Sequence, residues 1–63
     1  MKNRLAEYRR TKKMTQSTLA EKAGISRVQV SNIETGKTKS ARIETLTKIS
    51  EALGATVSDI FLA

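Results

Sequence analysis

Arg27, Val28, Ser31 and Asn32 fall within six consecutive positions, and the cations Lys37, Lys39 and Arg42 follow soon after. Such types can read a surface of fixed donors and acceptors, because arginine offers parallel N–H donors, an asparagine amide both donates and accepts, and valine adds an apolar contact. On double-stranded DNA the matches are guanine O6 and N7 for Arg27, adenine N6 and N7 for Asn32, and a thymine methyl for Val28. Each bidentate match discriminates by roughly 1 to 3 kcal/mol. Ser31 adds a hydroxyl to the set, and Gln29 has suitable chemistry but competes with a capping role. Lys37, Lys39 and Arg42 suit phosphate oxygens, which position a protein without specifying sequence.

The elements that must position these side chains lie between Thr15 and Gly36, in TQSTLAEKAGISRVQVSNIETG. Leu19 and Ala23 recur at helical spacing with Ala20 beside Leu19, and Val30 and Ile33 do the same further on. Gly24-Ile25-Ser26 joins the two patterns, which makes a helix-turn-helix whose second helix suits the major groove. Gly24 stands where the first helix stops and the chain turns, a position that favours positive φ. Ala20 stands where the helices must approach closely. Ser26 and Gln29 form an S-x-x-Q capping box, flanked by Ile25 and Val30 as a hydrophobic staple. Thr15 caps the first helix, with Met14 and Leu19 as its staple, and Gly36 stops the second. Gln16, at the N-terminus of the first helix, can present its amide and nearby backbone N–H groups to a phosphate, and Ser26 holds the equivalent place on the second.

Charge agrees with a polyanionic partner. The 63 residues carry a formal net charge of +6, with a pI near 10.2. The excess gathers before Thr15, in Lys2, Arg4, Arg9, Arg10, Lys12 and Lys13 against Glu7, and again in Lys37, Lys39 and Arg42. From Ile43 onward Lys48 faces Glu44, Glu51 and Asp59, so a basic front and a mildly acidic back direct the field toward one face.

The remaining elements form a scaffold. A helix is expected from about Lys2 to Lys12 with Leu5 and Tyr8 inward. Another is capped by Ser40 and carries the apolar stripe Ile43, Leu46, Ile49 and Leu53 up to Gly54. Thr56 to Asp59 reads as a capping box opening a short last helix with Val57, Ile60 and Phe61. Ile60, Phe61 and Leu62 offer more apolar surface than one short helix needs, which makes them candidates for a two-fold interface. Closure of the monomer core is the competing use. A chain this short buries only about 60% of its unfolded surface, so it forms one domain spanning 1–63, and dimerisation would stabilise it.

Gln16, Leu19-Ala20, Gly24, Ser26, Val30, Ile33-Glu34 and Gly36-Lys37 resemble the Cro and phage-repressor type of helix-turn-helix, also called Xre-like. The likeness extends from Leu5 to Leu62. It implies an all-α, compact five-helix bundle in which helices two and three read DNA, and an ion pair between Arg9 of helix one and Glu34 at the end of helix three. The chain departs from the family between Thr38 and Ile43, where a proline is common and this sequence has none.

Function classes narrow accordingly. Without histidine, cysteine or a Gly-rich phosphate loop, neither an enzyme, a metal site nor a bound cofactor is expected. No apolar run is long enough for a signal peptide or membrane span, and the absence of cysteine fits a reducing cytoplasm, with association to the nucleoid when DNA is bound. The expected function is a transcriptional regulator, a repressor acting as a homodimer on a palindromic operator. The alternative is a protein-interaction module, such as the antitoxin partner of a toxin, in which DNA binding is secondary.

Overall fold

The computed structural model describes residues 3–61. Five helices and no strand occur among them: α1 Leu5–Thr11, α2 Gln16–Ala23, α3 Arg27–Glu34, α4 Ile43–Ala52 and α5 Val57–Phe61. The helices are short, the longest being 10 residues, so none is stable by its own propensity and each depends on burying one face. Leu5, Leu19, Val30, Ile33, Ile49, Leu53 and Ile60 supply the shared core, joined by Ala20, Ala23, Leu46 and Phe61. α2 packs on both α3 and α4, while α1 and α5 close the remaining side.

Local chemistry fixes the α2–α3 unit. Gly24 has φ of 72°, and behind it the Ile25 N–H donates to the Ala20 carbonyl (2.9 Å) and the Gly24 N–H to that of Glu21 (3.3 Å). This is a Schellman ending, which favours glycine at the left-handed position. A Cβ at Gly24 would meet nothing within 4 Å, so the constraint there is torsional rather than spatial. Ala20, only 4% exposed, occupies the buried side of α2 against α3 and α4. Ser26 Oγ accepts from the Gln29 N–H (3.1 Å) and Gln29 Oε1 from the Ser26 N–H (3.0 Å), which completes the capping box. Thr15 Oγ1 likewise accepts from the Thr18 N–H, and Thr56 and Asp59 exchange the equivalent two bonds at α5.

Three sequence expectations change. α1 starts at Leu5 rather than near Lys2, because the Asn3 carboxamide accepts from the Leu5 N–H (2.9 Å) and donates to the Ile33 carbonyl (2.8 Å). Residues 1 and 2 lie outside the described part. Ser40 does not cap α4, which begins at Ile43 with Arg42 at the N-cap and no side-chain capping bond. The loop is instead tied to α3 by the Thr38 N–H donating to the Asn32 carbonyl (3.0 Å), which delays the helix. Ile43 is not core: it sits in the first turn, beyond the packed stretch from Leu46 to Leu53, and is 68% exposed.

Candidate nucleic-acid interface

Arg27, Val28 and Gln29 occupy the exposed first turn of α3, and Ser31 and Asn32, both half-buried, lie one turn later. Val30 and Ile33 bury the opposite face of the same helix, so five polar or apolar candidates share one short, rigid platform. Gln29 Oε1 is committed to the Ser26 backbone, which makes Gln29 the least available reader. Ser26 keeps an exposed position at the helix N-terminus although its hydroxyl already accepts from Gln29.

The structure joins Arg27 to the interior through Gln16. Arg27 Nη1 donates to Gln16 Oε1 (3.3 Å), Gln16 Nε2 donates to Glu34 Oε1 (3.4 Å), and Glu34 receives a bidentate pair from Arg9, Nε to Oε2 at 2.8 Å and Nη2 to Oε1 at 3.0 Å. Arg9 Nη1 also donates to the Met14 carbonyl at 2.6 Å. The Arg9 and Glu34 side chains are 13% and 6% exposed, so this is a nearly buried ion pair at the junction of α1, α2 and α3. Burial pushes the Glu34 carboxyl upward, but hydrogen bonds from Arg9 and Gln16, with the charges of Arg9 and Arg10, outweigh it and hold the group below its ordinary range. Hydrogen bonding to Glu34 raises Arg9 against the smaller effect of its own burial. The link between Gln16 and Arg27 spans 11 positions and becomes visible only when α2 is packed on α3.

The cations after α3 lie exposed on the loop that Thr38 fastens to it. Gly36, at φ of 79°, turns the chain after α3 toward Lys37 and Lys39. Among the described residues, ion pairs engage Arg4, Arg9 and Lys48, and Lys37, Lys39 and Arg42 enter none. Gln29, Asn32, Thr38, Ser40 and Arg42 line one concavity of about 270 Å³ between α3 and this loop, which brings a base-reading candidate and a phosphate-binding candidate to the same recess. At the far end, Ile60 is fully buried and Phe61 is 6% exposed. Both pack into the monomer core, the competing use of these residues, and Leu62, the third interface candidate, lies outside the described residues.

The arrangement is a capped helix with an outward polar face, braced from behind and flanked by unneutralised cations. A helix-turn-helix family model matches residues 5–60. The chain belongs to the Xre-like helix-turn-helix family. It is 39% identical over 62 residues to the uncharacterized HTH-type transcriptional regulator MJ0272 of Methanocaldococcus jannaschii, covering 98% of this chain and 92% of that one. Among solved structures, SinR in complex with DNA, a master regulator for biofilm formation, superposes with a TM-score of 0.82 at 37% identity, covering 86% of each chain. The SinR–SinI protein complex gives 0.83 at 36% identity over 87% of this chain, and there the match spans about half, 53%, of the other chain. Among the described residues no helix is long and apolar enough to cross a membrane.

Proposed function

We propose that this protein is a sequence-specific double-stranded DNA-binding regulator that lays α3 in the major groove and represses transcription as a homodimer on a palindromic operator. The outward face of α3 carries the reading. Val28, 57% exposed, stands between Arg27 and Gln29 in the first turn, with Ser31 and Asn32 following. A single exposed valine is ordinary, but one set among bidentate donors at the tip of a rigid helix matches the mixture of methyl groups, donors and acceptors on major-groove edges. The likeness to SinR in its DNA complex supports the same use here. Repression needs only that the occupied operator exclude another protein. Dimerisation follows from size, since one α3 spans few base pairs, and two placed about 34 to 36 Å apart supply the specificity.

Selecting bound duplexes from a random library tests this directly. A palindromic consensus with half-sites about one helical turn apart is expected. Recovery of no preferred sequence would overturn the proposal, and a lone half-site bound by a protein that sediments only as monomer would overturn its dimeric part.

The flanking cations make a separate prediction. Lys37→Ala should weaken binding to specific and random duplexes alike and lower the salt slope of log affinity by about 1, because one phosphate contact and its released counterion are lost. Titrations of both duplexes over a range of salt would show it, and unchanged affinity for both would remove Lys37 from the phosphate-binding set.

A further inference from the structure

Among the described residues, Lys13, Gly24, Gly36 and Gly54 have positive φ, and Lys13, at 56°, is the one that is not glycine. It ends α1 with the same pair of bonds that Gly24 uses after α2. The Lys13 N–H donates to the Arg10 carbonyl (2.9 Å) and the Met14 N–H to that of Arg9 (3.1 Å). Glycine enters this region freely, whereas a Cβ makes it unfavourable. The chain therefore holds a lysine where it uses glycine at its equivalent turns.

Strain of this kind survives only where surrounding structure enforces it, and it concentrates at functional sites. The enforcement is visible. Arg9 grips the Met14 carbonyl, and the same guanidinium is locked to Glu34, which is bonded to Gln16 and through it to Arg27. Lys13 is exposed and lies three residues before Gln16, so their Cα atoms are at most about 11 Å apart. Its backbone is consequently fixed relative to α3, and its exposed side chain leaves the chain three residues before Gln16, the first residue of α2.

We propose that Lys13 is a DNA-backbone contact, a lysine kept on a strained turn so that its charge meets a phosphate next to the one approached by Gln16. This rests on the DNA-binding reading above. It predicts opposite changes in stability and in binding from a single substitution. Lys13→Gly should raise the thermal midpoint by roughly 4 °C, since it relieves the turn. It should also weaken binding to both specific and random duplexes by about fivefold near physiological salt and lower the salt slope by about 1. Lys13→Arg should retain affinity and slope.

The experiment compares Lys13→Gly, Lys13→Arg, Lys12→Ala and Arg27→Ala with the unmodified chain, by salt-dependent titration and thermal unfolding. If Lys13→Gly binds as the unmodified chain does while Arg27→Ala loses the preferred duplex, the Lys13 contact is overturned and the DNA reading stands. An equal loss from Lys12→Ala would show a diffuse field and also overturn the contact. If the unmodified chain binds no duplex, the DNA reading falls and the Lys13 contact falls with it.

Discussion

Arg9→Ala is expected to destabilise the fold by about 3 kcal/mol, lowering the thermal midpoint by roughly 12 to 24 °C. Removing the guanidinium leaves the Glu34 carboxylate, 6% exposed, with only the long Gln16 bond, and it frees the Met14 carbonyl from its 2.6 Å partner. The loss comes mainly from that stranded charge, not from any large net gain when the pair forms, because desolvation offsets most of the attraction. A chain of this length has only roughly 3 to 9 kcal/mol of total stability, so the single variant can be largely unfolded at room temperature. The double variant Arg9→Met with Glu34→Leu separates the causes. It removes both charges and should recover most of the lost stability, measured by denaturant or thermal unfolding. A double variant as unstable as Arg9→Ala would show that packing, not charge, sets the loss. An unchanged midpoint in Arg9→Ala together with a large loss of DNA binding would make Arg9 a DNA contact instead of a brace.

The same pair sets a pH dependence. Glu34 titrates below its ordinary value of about 4.3 in the folded chain, so the unfolded chain takes up this proton more readily. Its contribution is complete above the unfolded value and disappears as pH falls through the folded one. Asp59 is shifted in the same direction by the backbone and hydroxyl bonds it shares with Thr56. Stability should therefore decline below about pH 4.3, and the double variant, lacking Glu34, should decline less steeply over that interval.

Local signals were legible in the sequence wherever a motif satisfies itself within a few residues. The Ser26–Gln29 and Thr56–Asp59 boxes, the Thr15 cap and the Gly24 turn all close over three to five positions and appear where their residue types place them. Misreadings arose where a distant partner decides. Ser40 has the right side chain for a cap, but the bond from Thr38 to Asn32 holds the loop open past it. Ile43 continues a helical stripe, yet periodicity cannot tell that the stripe outruns its neighbours. Asn3 fixes the start of α1 by reaching Ile33, 30 positions away, and nothing local announces it. Lys13 carries no signal for a left-handed turn because its residue type argues against one. For the candidate site, the α3 residues could be picked out by motif position, whereas their coupling to Gln16 required the packed α2–α3 pair.

That coupling governs the second large effect, the response to Arg27→Ala. Binding to the preferred duplex should fall roughly tenfold to a hundredfold, with selectivity relaxed at one base pair, while random duplex loses much less. Arg27 reaches its partner from an exposed position, and an unrestrained arginine loses about 0.5 to 1.5 kcal/mol of side-chain freedom on being immobilised. Gln16 Oε1 already accepts from Arg27 Nη1 in the unbound chain, and Glu34 orients Gln16 in turn, so part of that ordering precedes DNA. At 3.3 and 3.4 Å both bonds are longer than the usual N–H···O separation, which leaves Arg27 oriented but free to exchange Gln16 for a base. Gln16→Ala should therefore weaken specific binding through Arg27 as well as through the phosphate contact proposed for Gln16. A double-mutant cycle on the preferred duplex is expected to give a coupling of about 0.5 to 1.5 kcal/mol between the two residues. Strict additivity would mean that Gln16 does not prepare Arg27. Equal loss on random and preferred duplexes for Arg27→Ala would move Arg27 from base reading to the phosphate-binding set.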